Sequence, residues 1–131
     1  MEAAIHPQVR TVRILIADDE PLFVEMVEAL LASDDRIEVV GTARDGKEAV
    51  DLALWLAPDV TLMDISMPGM DGIEAARQIR TSDPHACILI LTGSIISTDV
   101  DRSRQAGAAG FLTKDRIATH LVERILDLGS R

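Results

Sequence analysis

Aromatic residues are nearly absent from this sequence. They make up 2% of it, with one Trp, two Phe and no Tyr. Stacking platforms for nucleic-acid bases are thereby excluded. Cysteine occurs once, as Cys87 in an apolar run, so no internal disulfide framework can form and a buried small hydrophobe is the expected role. Positive charge is also scarce. Thirteen Lys and Arg face 22 Asp and Glu, for a formal net charge of −9 and a pI near 4.6. Such a surface repels phosphate backbones, so direct contact of this chain with nucleic acid is not expected. No apolar run approaches the roughly 20 residues of a membrane span. The first residues, MEAAIHPQVRT, lack the basic, apolar and small-residue order of a signal peptide. The expectation is a cytoplasmic protein without a membrane segment.

The chain has 131 residues, 47% of them hydrophobic, which suits one domain over 1–131 with a core from about 12 to 128. Short β-rich runs alternate with helical patterns. VRILIA (12–17) is the first strand, and Pro21 opens a helix to Ala32, with Asp18, Asp19 and Glu20 as cap and N-terminal charge. The expected inner face carries Phe23, Val27, Leu30 and Leu31, widened by Met26 and Ala29. IEVVG (37–41) is the second strand. Asp45-Gly46 opens a second helix with Ala49, Val50, Ala53 and Leu54 inside, stopped by Pro58; Trp55 on it is given no chemistry. Residues 59–64 form the third strand, and a third helix runs from about Gly72 to Arg80.

CILIL (87–91) is the fourth strand, closed by Thr92-Gly93-Ser94. A fourth helix, polar in its second half, spans 95–106 and ends at Gly107. AGFLT (109–113) is the fifth strand, and a last helix begins near Asp115 with Ile117, Leu121, Ile125 and Leu128 as its stripe. Strands that are apolar throughout belong to a parallel sheet covered on both faces. Five β-α units with right-handed crossovers predict an α/β doubly wound sheet of order 2-1-3-4-5, flavodoxin-like.

That order gathers polar residues at one sheet edge. Asp18 and Asp19 end the first strand, Asp64 the third, Thr92 the fourth and Lys114 the fifth. Crowded carboxylates repel by a few kcal/mol per pair, on the order expected near a protein surface, and persist most readily around a cation. All-oxygen ligation suits Mg²⁺ or Mn²⁺. A metal, an ammonium and a hydroxyl together can bind the oxygens of a phosphoryl group, and a carboxylate can accept it. Asp64, on the middle strand, is the natural acceptor, with Asp18 and Asp19 as metal holders.

Each mark alone reads blandly. Asp18-Asp19-Glu20 is also a helix cap, Asp64 a turn aspartate, Thr92 a turn residue and Lys114 a solvated lysine. His6, His85 and His120 are scattered without ligand spacing. A metal-dependent aspartyl phosphatase would need a second acid/base carboxylate near Asp64, but Ser66 stands two residues on and no cap domain fits. A nucleotide-binding flavodoxin-like protein would need a glycine-rich loop after the first strand, where Asp18-Asp19 stands instead.

Taken together the marks resemble the receiver (CheY-like) domain of two-component response regulators over about 12–128. They are Asp18-Asp19-Glu20, Asp64 with MPGMDG (67–72), Thr92 after an apolar strand, and GAAGFLTK (107–114). The resemblance implies that Asp64 takes a phosphoryl group from a histidine kinase or phosphotransfer protein. It implies that Asp19, Asp64 and the Ser66 carbonyl hold Mg²⁺, with Asp18 reaching it directly or through water. Thr92 and Lys114 would engage the phosphoryl group. Phe111 would be the switch aromatic that turns inward with Thr92, although it lacks the hydroxyl of a Tyr. The surface from the fourth strand to the last helix would then change. Such a domain is a signalling module, not an enzyme acting on an external substrate; the alternative is a pseudo-receiver used only for binding.

Asp115 stands where the family often has Pro. With the wording of GAAGFLTK this resembles the branch bearing a C-terminal LuxR-type helix-turn-helix. The resemblance therefore implies a transcriptional output through a DNA-binding domain absent from this sequence, the chain being an isolated receiver or a piece of a longer one. It also implies a phosphorylation-dependent homodimer through the last helices. Ser66 and Ser94 flank the site, and neither orients water as an acid or amide would, so a long-lived phosphoaspartate is expected.

Overall fold

The computed structural model describes residues 10–93 and 96–130. Its elements are β1 (Val12–Ala17), α1 (Pro21–Ala32), β2 (Ile37–Ala43), α2 (Gly46–Leu56), β3 (Val60–Asp64), α3 (Gly72–Ser82), β4 (Ile88–Thr92), α4 (Ser97–Gln105), β5 (Gly110–Thr113) and α5 (Ile117–Gly129). The five strands form one parallel sheet in the order β2-β1-β3-β4-β5, as the alternation of patterns predicts.

β3 and β4 are buried along their whole length, so apolar residues are required on both faces. Successive side chains point to opposite faces of a strand. Ile14, Ile16, Val60, Leu62, Leu89 and Leu91 therefore share one face with Val27 and Leu31 of α1 and Ile117, Leu121 and Ile125 of α5. Leu15, Ala17, Met63, Ile88 and Ile90 face the other way, against Ala49 and Ala53 of α2 and Ile73, Ala76 and Ile79 of α3. Small residues on α2 and α3 let these helices pack closely on the sheet.

Several local expectations need correction. On α1 the buried face turns through Val27 and Leu31, with Phe23, Val24 and Leu30 partly buried; Met26 and Ala29 are exposed. The stripe centred on Val27 leaves Met26 and Ala29 outside the arc that meets the sheet. Leu54 is likewise exposed, while Leu56 packs on the core. Helix α2 does stop at Pro58 as expected: Leu56 is its last residue, and Ala57, in the left-handed region at φ 47°, is its C-cap. Lys114–Arg116 form a single 3₁₀ turn, so α5 starts at Ile117 rather than near Asp115. Gly107 does follow α4 with φ +91°, a conformation that favours glycine.

The switch from β1 to β3 across the sheet centre leaves a crevice at the strands' carboxyl ends. The loop from Ile65 to Asp71 folds back beneath it, with the Gly72 N–H donating to Ile65 O at 2.8 Å. A Cβ on Gly72 would lie 1.9 Å from the Asp64 carbonyl oxygen, so only glycine allows α3 to start there. Asp71 caps α3 by accepting from the Glu74 N–H at 2.8 Å.

Candidate functional site

The ends of β1, β3 and β5 meet around the Lys114 ammonium. Lys114 Nζ lies 3.0 Å from Asp18 Oδ2 and 3.2 Å from Asp64 Oδ1, with Glu20 Oε1 farther off at 3.5 Å. Asp18 and Asp64 are buried, at 1% and 4% exposure, which makes them strong acceptors with little access to water. The other oxygen of Asp18 accepts from the Glu20 N–H at 2.8 Å. The reading of Asp18 as a helix cap is thus corrected. Asp18 ties the entry of α1 to Lys114, and the N-cap position of α1 is Glu20, which makes no side-chain cap bond.

Asp18, Asp19 and Asp64 each present an oxygen within 4.8 Å of the others. Burial pushes the Asp64 carboxyl up to about 6, helped by the negative charge of Asp18 and, less, of Asp19, and only partly opposed by Lys114. For Lys114 burial acts to lower the ammonium's pKa, but the hydrogen bond to Asp18 and the charges of Asp64 and Asp18 outweigh it and the net shift is upward. Three carboxylates around one ammonium leave a residual negative charge. An all-oxygen donor set with that charge fits a hard divalent cation such as Mg²⁺.

An open cleft of about 470 Å³ is lined by Asp19, Glu20, Asp64, Ser66, Gly93 and Lys114. Asp19 is exposed while Asp18 and Asp64 are buried, so the cleft offers a gradient from solvent to acceptor. The Asp64 backbone pairs with Leu91 on β4, which puts Thr92 one residue beyond the level of Asp64, next to Gly93 of the cleft lining. Thr92 is buried at 8% exposure and pairs in register with Thr113, the residue before Lys114. Asp18, Asp19, Asp64 and Lys114 thus come together as expected, with Ser66 at the cleft and Thr92 at the adjoining strand end.

Phe111 stands apart. It is half-buried on β5, packs on the core face shared with α2 and α3, and borders a separate groove beside Val100, Ser103 and Arg104 of α4. Ser94 lies outside the described residues, as does His6. Two contacts were not foreseen. The Phe23 ring lies under the Lys114 ammonium, 4.1 Å from nitrogen to ring centre. Arg102 of α4 donates to Asp71 at 3.0 Å, joining α4 to the loop that follows Asp64. An aromatic two residues after Pro21 is the only sequence signal for the first; nothing local signals the second.

The family profile described as the response regulator receiver domain matches residues 14–126. A probable transcriptional regulatory protein NarL of Mycobacterium tuberculosis is 39% identical over 122 residues, covering 93% of this chain and 56% of that protein. The solved receiver domain of the putative response regulator NarL from the same species superposes with a TM-score of 0.88 at 38% identity, covering 92% of this chain and 98% of that one. A two-component response regulator of the LuxR family from Aurantimonas sp. SI85-9A1 superposes with a TM-score of 0.87 at 37% identity, over 92% of this chain and 86% of that one. The chain spans about half the length of the curated regulators it matches. With the profile matched from β1 to α5, the chain belongs to the receiver-domain family of two-component response regulators, and it is similar to the receivers of LuxR-family regulators.

Proposed function

We propose that this chain is one receiver domain, 1–131, that works by accepting a phosphoryl group on Asp64 from a histidine kinase or phosphotransfer protein. The observation that carries the reading is Asp64 itself: a buried carboxylate at the switch point, raised to about 6, with Asp18 and Asp19 beside it and Lys114 at 3.2 Å. At neutral pH it is mostly ionised and can act as nucleophile. An Asp64 oxygen forms the new P–O bond while the donor's bond to phosphorus breaks, and the donor's leaving group departs with the electron pair. Lys114 then shifts its ammonium from Asp64 toward the phosphoryl oxygens, and the Thr92 hydroxyl donates to another.

Asp18, Asp19, Asp64 and the Ser66 carbonyl would hold Mg²⁺ or Mn²⁺. Bound there, the cation would neutralise the charge on the transferring oxygens. The carboxylates orient that charge and Lys114 balances it. Phe111 is the switch aromatic, moving into space released by Thr92 and altering the β4–α5 surface. The module acts on no external substrate. It serves a transcriptional output through a helix-turn-helix domain in the cytoplasm, with dimerisation through the last helices on phosphorylation. The LuxR-family relatives support that output; among the described residues no helix is long and apolar enough to cross a membrane.

Intact mass after incubation with a small phosphodonor tests the reading. Wild type gains one phosphoryl group in Mg²⁺ and none in chelator, and Asp64→Asn gains none in either. No gain by wild type under any condition would replace this reading with a binding-only module.

A further inference from the structure

A lysine on a flexible four-carbon stem does not by itself hold its ammonium at one point. Here the ammonium is bounded by Asp18 and Asp64 at 3.0 and 3.2 Å, and on a further side by the face of Phe23 at 4.1 Å. The Lys114 side chain is 18% exposed, so water reaches only part of it. Phe23 is the third residue of α1 and packs against the apolar cluster shared by α1, α5 and the sheet. Its ring is therefore anchored on the core side while one face is spent on the site. The same Asp18 that grips Lys114 also accepts the Glu20 N–H at 2.8 Å and so sets the start of the helix that carries Phe23. The negative face of an aromatic ring attracts an ammonium, and more strongly where water is excluded.

We infer that Phe23 is a positioning residue for phosphoryl transfer, whose ring face holds the Lys114 ammonium in the cleft. The inference rests on the phosphoacceptor reading of Asp64 and adds to it a residue that touches neither donor nor metal. Its chemistry is that of a non-titrating counter-group. A carboxylate in the same place would deepen the negative charge that already crowds Asp18, Asp19 and Asp64. An aliphatic side chain would fill the space without attracting the cation. The ring attracts without adding net charge, and it leaves the ammonium free to turn toward an arriving phosphoryl group.

The test compares wild type, Phe23→Leu and Phe23→Tyr in two measurements. The sequence has only two lysines, Lys47 and Lys114, so their ε-methylene protons can be resolved by NMR. Lys47 is 82% exposed and serves as the internal reference. A ring face so close shifts the Lys114 ε protons upfield of those of Lys47 in wild type and Phe23→Tyr; in Phe23→Leu the displacement vanishes. The second measurement is the rate of mass gain with a small phosphodonor in Mg²⁺. Loss of the ring slows it about three- to tenfold in Phe23→Leu, while Phe23→Tyr stays within about twofold of wild type.

Absence of an upfield shift in wild type overturns the inference. So does a Phe23→Leu rate equal to wild type, or an equal slowing in Leu and Tyr variants, which would make the effect one of packing. A wild-type protein that takes up no phosphoryl group at all overturns the Asp64 reading and this inference with it, and that failure is recognised in wild type before any variant is compared.

Discussion

Neutralising Asp64 should make the metal-free protein more stable at neutral pH, although the substitution removes a partner of Lys114. In the folded chain the Asp64 carboxyl is raised from 3.8 to about 6, so its charged form is disfavoured relative to the unfolded chain. A group raised on folding contributes its stability below the unfolded pKa and loses it as pH climbs through the folded value. Wild type therefore weakens relative to an Asp64→Asn variant between about pH 4 and about pH 6, and the difference stays level above that. A shift of this size corresponds to about 3 kcal/mol at pH 7, from roughly 1.4 kcal/mol for each pH unit. The opposing attraction of Lys114 is already contained in that net shift. For a domain of this length the melting temperature should rise by roughly 10 °C. Thermal or urea melts of both proteins from pH 4 to pH 8, in chelator and again in millimolar Mg²⁺, read the effect. In Mg²⁺ wild type should recover most of the gap, because a ligand that binds the folded state stabilises it. A variant no more stable than wild type at pH 7 in chelator, or a difference independent of pH, would refute the reasoning.

Lys114→Met should destabilise the metal-free protein by about 1–3 kcal/mol in urea titration, since Asp18 and Asp64 lose a buried counter-charge; adding Asp64→Asn to it should restore most of the loss. Gly72→Ala should cost about 3 kcal/mol or abolish folding, because its Cβ would meet the Asp64 carbonyl oxygen at 1.9 Å; a midpoint unchanged from wild type would contradict the tight return of the Ile65–Asp71 loop. Arg102→Ala should change stability by less than about 1 kcal/mol, because its bridge to Asp71 is exposed at both ends; a loss above about 2 kcal/mol in the same titration would show the link to be worth more than an exposed ion pair.

Much of the architecture was legible in the residues alone. Five apolar runs, each ended by a turn or a charged residue, read as buried strands, and the sheet order followed from parallel crossovers. The gathering of Asp18, Asp19, Asp64 and Lys114 followed from that order, because strand ends that are neighbours bring their last residues together. Local pattern also opened the second helix at Asp45-Gly46, where Asp45 accepts from the Glu48 N–H at 2.8 Å, since an N-cap answers to the next three residues only. It failed where rotation about an element's axis mattered. Met26, Ala29 and Leu54 looked inward by spacing, yet they lie just outside the arc the sheet covers.

The tertiary structure alone decided the pairings inside the site. Asp18 could have been a helix cap or a metal holder by sequence; in the fold one oxygen takes the Glu20 N–H and the other takes Lys114, from 96 residues away. The raised Asp64 pKa depends on how much protein buries it and how near Asp18 stands. Phe23 and Lys114 meet only because α1 and β5 flank the same crevice. Sequence periodicity determines which runs form buried strands and which strand ends are polar, since those follow from short-range geometry. Distances of 3 to 4 Å between groups far apart in the chain are set by how the layers pack, and no local pattern encodes them.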